Sequence, residues 1–413
     1  MQLYHYVVLL LILSAAFAYI NQRFIRLPFV IGLFLLATGL SVGIVVLRPL
    51  IPFEHRSVED LMQHLDVSHL ITDVMLAFLL FAGGLHTDWS RLRPNLRPVL
   101  SLAILGTLLS TFIIGGLLYY VSAWINLPLP LPYCFIFGAL ISPTDPIAVL
   151  GILKKAKVPV HLENTIVGES LFNDGIGIVL FIAFTSMMGG SGEGHSGGIA
   201  GLFAQEVGGG IALGFALGYV LHRLLRSVDH YQTEILLTLA FVSGGYWLCS
   251  ELHFSGPLAM VIMGLLMGNF RPEKAMTDVT QQYVHKFWEL IDVILNAILF
   301  ILIALVMVVV ELRPSYLLLG LLSIGLILGS RILIVGFMRR FARRFLALSR
   351  AEGKVIVWGG LRGGLSVALV LSLPESEYKE ALSVVTYVVV VFSILVQGLT
   401  VGRFANRVLQ KSD

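Results

Sequence analysis

The sequence predicts an all-α polytopic membrane protein of about thirteen passes, on three observations. Of its 413 residues, 57% are hydrophobic and only 13% charged, whereas roughly a quarter of an ordinary soluble domain is charged. Apolar stretches of about 20 residues recur from end to end, each long enough to cross a hydrocarbon core as a helix. The basic residues collect in alternate connecting segments, which fixes an orientation as well as a class. A water-soluble globule is excluded.

The first pass, residues 3–20, ends in small residues as a cleaved leader would, but no Lys or Arg precedes it. A retained helix is expected there. Passes two to four cover 27–47, 68–84 and 98–121. The fifth, 133–153, and the sixth, 162–187, hold most of the intramembrane polarity. The glycine-rich outer loop "MMGGSGEGHSGG" leads into a seventh pass at 199–221. Passes eight to thirteen follow at 233–252, 256–269, 288–310, 315–338, 354–374 and 380–402. On this reading the chain divides into a six-helix repeat over 1–188, a linker helix within 189–232, a second, inverted repeat over 233–405 and a short tail at 406–413. No appended soluble domain is expected.

With the N-terminus outside, only Arg48, Arg56, Arg313 and Lys379 among the basic residues fall in outer loops. Nearly all the others, Arg91, Arg93, Arg97, Arg339 and Arg340 among them, face the cytoplasm together with the C-terminus. This places the chain in the cell (inner) membrane. Arg331 and Arg362 remain inside predicted helices, where a charge not forced by topology is a pairing or functional residue by default. Cys134 and Cys249 lie in separate apolar segments without metal-ligand spacing and read as packing residues. No catalytic constellation, resident cofactor or nucleic-acid partner is indicated.

Two passes are interrupted. The fifth, "YCFIFGALISPTDPIAVLGIL", carries Pro143 and Pro146 near its midpoint. Each proline removes a backbone donor, and Pro146 also drives Asp145 from helical angles, so the helix should open around Thr144 and Asp145. The twelfth, "KVIVWGGLRGGLSVALVLSLP", surrounds Arg362 with four glycines. Glycine permits an opening there, and the arginine can cap the carbonyl ends that an opening exposes. The two occupy matching places in halves of opposite direction, which is the sequence sign of an inverted repeat with its binding site at the bilayer midplane.

The sixth pass contains "VGESLFNDG". Ser170 and Asp174 are four apart and share a face, as do Glu169 and Asn173, while Glu169 and Asp174 lie about 140° apart around the helix and address different neighbours. An ionised carboxylate in hydrocarbon must be paired, neutralised or solvated. Arg331, in "LGSRILIVG" of pass eleven, is the natural partner of Glu169. Asp174 is then the free carboxylate, facing the broken pass with Ser170 and the oxygens near Thr144, a donor set suited to a hard cation. A group that holds either a cation or a proton, and not both, is the chemical minimum for an exchanger. The donor set leaves Na⁺, Li⁺ and K⁺ open.

"SPTDP", "GESLFNDG" and "GGLRGG", in this order and on these passes, resemble the bacterial and archaeal NhaP-type branch of the sodium/proton antiporters, which is related to the animal sodium/hydrogen exchangers. "FWELIDVILNAILF" in pass ten is similar to that family too. The resemblance covers essentially the whole chain. It implies exchange of a monovalent cation for a proton by alternating access, and a homodimer in which each protomer pairs a scaffold with a moving six-helix core. It also implies an ion site at Asp174, Ser170 and Thr144 beside Asp145, an Asn173 that bridges the two broken helices, and a Glu169–Arg331 pair. Relatives often carry an acid in the third pass where this chain has Ala82, in "LLFAGGLHTD".

Asp73, Glu234, Glu289 and Asp292 fall near predicted helix ends and read as solvated at the interface. His195, His222, His253 and His285 also sit at loop or interface depth. Asp145 and Asp174 together raise an intramembrane aspartyl protease as a rival, but Asp145 lies in a proline-broken segment and Asp174 lacks a Gly-x-Gly-Asp context. A passive channel is the other rival, and trans-stimulated exchange without net current separates it from an antiporter.

Overall fold

A computed structural model describes residues 2–47, 70–145, 149, 151–153, 156, 158–188, 198–269, 278–309, 311–341 and 348–410. No strand occurs among them. In chain order the helices are α1 (Gln2–Ile20), α2 (Phe29–Leu47), α3 (Leu76–His86), α4 (Trp89–Trp124), α5 (Leu131–Ile141), α6 (Val160–Met188) and α7 (Gly198–Leu225). They continue as α8 (Tyr231–Glu251), α9 (Gly256–Asn269), α10 (Asp278–Val309), α11 (Pro314–Phe341), α12 (Arg350–Gly359), α13 (Gly364–Leu371) and α14 (Glu377–Leu409).

Among the described residues, eight helices are long and apolar enough to cross a membrane, and the pair α12 and α13 makes a ninth. α3, α5 and α9 are shorter apolar helices. Large apolar side chains face outward as well as inward: Ile12, Phe24, Tyr120, Trp124 and Leu333 are all exposed. A helical protein that is apolar all round has lipid as its solvent.

Between helices without water to drive them together, close backbone approach supplies the packing. α3 and α9 show it best. A Cβ at Gly84 would lie 2.7 Å from the Val261 carbonyl oxygen, and one at Gly264 would strike that of Phe81. Trp288 of α10 is wholly buried against this pair, 4.6 Å from the Phe81 ring, with its Nε1 donating to Thr238 of α8 at 3.1 Å. Cys134 and Cys249 are free and buried in the apolar core, as their spacing suggests.

Both expected interruptions occur. α5 stops at Ile141, and Pro143–Asp145 have no helical structure; Pro146 lies outside the described residues. α12 and α13 are separated at Gly360–Gly363 and bent by 44°. α4 also departs from regularity, with a 3₁₀ turn at Arg93–Asn95 and a π turn at Ser101–Gly106, and α14 has a π turn at Phe392–Gln397.

Glu234 corrects the sequence reading. It is wholly buried in the first turn of α8, where α8 packs on α10, and is not solvated at an interface. Nearness to a helix end in sequence did not reveal that a neighbouring helix extends past it. Glu289 and His253 are exposed as expected. His195 lies outside the described residues, as does the side chain of Asp73.

Candidate functional site

The two unwound segments cross and bond to each other. The Asp145 N–H donates to the Leu361 carbonyl at 2.8 Å, and Arg362 Nη1 donates to the carbonyls of Ser142 and of Pro143, the latter at 2.9 Å. Arg362 therefore caps the carbonyl end of α5, not of its own helix. The broken end of a helix carries partial negative charge, and a buried cation placed there satisfies both partners. Gly363 is required at this crossing, because a Cβ there would collide with the Asp145 carboxylate.

A second chain of polar groups holds the break from the far side. The Arg362 N–H donates to Ser393 Oγ at 2.8 Å, Ser393 Oγ donates to Gln397 Oε1 at 3.0 Å, and Gln397 Nε2 donates to the Trp358 carbonyl at 3.1 Å. Ser393 and Gln397 are both buried. They satisfy backbone groups that the opening of α12 leaves without helical partners. Neither stood out in the sequence; the available signal was a Ser and a Gln four apart in the otherwise apolar "FSILVQG".

Beyond the packing of α6 on α5, where the Phe135 and Phe184 rings stack at 5.6 Å, the hydrogen bonds from α6 to the unwound segment converge on Thr144. Ser170 Oγ donates to its carbonyl, Asn173 Nδ2 donates to its Oγ1 at 2.9 Å, and its N–H donates to Asn173 Oδ1 at 3.3 Å. Both ends of the Asn173 amide thus go to Thr144, so the contact between the two broken helices is made by Arg362 and the Asp145 amide instead of by an Asn173 bridge. Having given its proton to the Thr144 carbonyl, the Ser170 hydroxyl keeps its lone pairs for another partner.

Glu169 points away from Asp174 and forms an ion pair with Arg331 of α11, with Nη1 and Oε1 2.5 Å apart. The two side chains are 2% and 8% exposed. Arg331 also packs beneath the second break, where a Cβ at Gly360 would lie 3.1 Å from its Nε.

Asp174 is half-buried and lines a cavity of about 370 Å³ together with Pro143, Thr144, Asp145, Ser170 and Gly363. The cavity runs along α3 and α6 to exposed Asp88 and Arg91. At this mouth the Ser90 hydroxyl and amide hold the Asp88 carboxyl below its ordinary range, aided by Arg91 at 3.1 Å, so an ionised carboxylate marks the entrance.

Asp292 also lines this cavity, half-buried, with Asn296 Nδ2 donating to its Oδ1 at 3.0 Å. This overturns the reading of Asp292 as an interfacial residue. The missed signal was the Asp–Asn pair one turn apart on an apolar helix. Ala82, where relatives often have an acid, is fully buried among apolar side chains, and its neighbour Gly83 is the residue that reaches the cavity.

Comparison with known proteins agrees with this geometry. A family profile described as "Sodium/hydrogen exchanger, transmembrane" matches residues 12–407. The Na⁺/H⁺ antiporter NhaP of Pseudomonas aeruginosa is 44% identical over 413 residues, covering 97% of each chain. The Na⁺/H⁺ antiporter NhaH of Halobacillus dabanensis is 35% identical over 340 residues, covering 80% of this chain and 81% of that one. In structure, the sodium proton antiporter MjNhaP1 of Methanocaldococcus jannaschii superposes with a TM-score of 0.76 over 99% of this chain and 100% of that one, at 22% identity, a likeness of fold. With its matched length, its crossed broken helices and its relatives all in agreement, the chain belongs to the sodium/hydrogen exchanger family.

Proposed function

We propose that this protein is a secondary active transporter that exchanges Na⁺ for a proton across the cell membrane, one for one and without net charge movement. The observation that carries the reading is Asp174: a carboxylate open to a cavity, directly beside two crossed, broken helices. Ser170 and Thr144 offer neutral oxygens next to it, and Asp145 a second carboxylate held at the crossing. Sodium and proton compete for Asp174, so loading one expels the other. Asn173, Glu169, Arg331 and Arg362 keep the donors in place and do not themselves bind the ion.

On this reading the chain works as a homodimer with the N-terminus outside and the C-terminus in the cytoplasm, and the two halves, 1–188 and 233–405, are inverted repeats joined by α7. The mouth at Asp88 and Arg91 then faces the cytoplasm. Asp292 stands where the third helix offers no acid, and supplies negative charge to the same cavity.

Reconstitution tests the proposal. In proteoliposomes with an acid interior and a pH-sensitive dye, added Na⁺ should collapse the pH gradient. The same assay with Li⁺ and K⁺ ranks the cations. No proton movement with any of the three would refute exchange, and a response to K⁺ alone would reassign the substrate.

A further inference from the structure

On the opposite side of Asp174 from the mouth at Asp88 lies a second cavity of about 310 Å³. Its walls continue those of the first. Ile178 and Ile182 of α6 stand one and two turns beyond Asp174 on the same face, spanning about 12 Å along the helix. Leu369 and Ser372 continue α13 and its C-terminus, and Leu76 of α3 lines both cavities, so one leucine side chain belongs to the partition between them.

This second cavity holds a half-buried carboxylate, Glu206 of α7, and is also lined by Tyr246, Ser250 and Ser255, each with a hydroxyl. Among the described lining residues there is no Lys or Arg, and His253 stands exposed at the rim. The backbone that carries the carboxylate is held in place. The Glu206 carbonyl accepts the Ser255 N–H at 3.0 Å, and α7 presses so closely on the α8–α9 turn that a Cβ at Gly210 would lie 2.6 Å from the Ser255 carbonyl oxygen. Tyr246 is fixed too, its hydroxyl donating to the Thr72 carbonyl at 2.7 Å. A half-buried carboxylate with no Lys or Arg among the described residues around it takes its countercharge from solution, as a proton or a small cation.

We propose that Glu206 and these hydroxyls form a second, weaker site for a monovalent cation, serving the face of the membrane opposite the Asp88 mouth. The ion occupies it before reaching Asp174 from that side, or after leaving Asp174 toward it. The inference rests on the exchange reading above and adds a residue and a side to it.

The test is Glu206→Gln, assayed in membrane vesicles of both orientations, with Na⁺ supplied first at one face and then at the other. The expected result is a several-fold rise in the apparent KM for Na⁺ at the face opposite Asp88, with KM at the Asp88 face and the maximal rate unchanged. Glu206→Asp, which keeps the charge on a shorter arm, should fall between the variant and the unmodified protein, and it carries the test alone if Glu206→Gln does not accumulate. Equal KM at the two faces for variant and unmodified protein, or an equal rise at both, overturns the second site while leaving exchange intact. Absence of exchange in the unmodified protein removes both readings together.

Discussion

Arg362 on one interrupted helix holds the carbonyl end of the other, donating from Nη1 to the oxygens of Ser142 and Pro143. The crossing is thus a bonded unit whose geometry depends on one buried cation. A hydrogen bond from a charged donor contributes about 1.5–3 kcal/mol, and an acceptor left bare in a dry site costs a similar amount. Arg362→Ala should lower the melting temperature clearly and abolish exchange. Arg362→Lys, a charge without the planar fork, should retain fold and part of the activity. Full activity in Arg362→Ala would show that the crossing does not need this cap.

The pair Glu169–Arg331 predicts a different pattern. Removal of either residue leaves a buried, unpaired charge and should cost about 3–5 kcal/mol, whereas removal of both should cost less than the sum. Thermal melts of Glu169→Gln, Arg331→Gln and the double variant measure it. Simple additivity would mean that the two side chains do not share their stabilisation.

Ser393 and Gln397 should matter for the site without touching an ion. Gln397→Ala strands the Trp358 carbonyl and the Ser393 hydroxyl, a loss of about 1–3 kcal/mol. The expected signature is a lower transport rate and lower melting temperature, partly rescued by Gln397→Glu, which still accepts from Ser393. A Gln397→Ala variant with unchanged rate would place α14 outside the working parts.

Much of this site was legible because intramembrane polarity is sparse. Pro143 and the glycines around Arg362 announced the breaks, and Glu169 and Arg331 were each other's evident partners. Spacing on a helix tells which residues share a face, but not which neighbour that face meets. Hence Arg362 turned out to cap the other helix, Asn173 to spend both ends on Thr144, and Asp292 to reach the cavity. Ser393 and Gln397 were invisible for the same reason: their roles exist only once α14 lies against the break in α12. Ala82 shows the reverse case, a position singled out by resemblance whose side chain packs into the apolar core.

Electroneutrality follows if Asp174 alone changes its occupant. The loaded core then carries the same charge with Na⁺ or with a proton, and a membrane potential, worth about 2.3 kcal/mol per charge per 100 mV, has nothing to act on. A potassium–valinomycin potential imposed on proteoliposomes without a pH gradient should leave the rate and direction of sodium-driven proton movement unaltered. A response that follows the sign of the potential would bring a second titrating carboxylate into the cycle, with Asp145 and Asp292, both on the cavity wall, as the residues to substitute next.

If one carboxylate, Asp174, binds Na⁺ and the proton in competition, sodium binding must release protons. Purified protein in weakly buffered detergent solution, near the pH at which the site is half protonated, should release protons when Na⁺ is added. Below that pH, the apparent sodium affinity should fall about tenfold per pH unit, since each cation must displace a proton. Asp174→Asn, with the shape kept and the charge gone, should remain folded and release none. Sodium-dependent proton release that persists undiminished in Asp174→Asn would move the exchange site to another carboxylate.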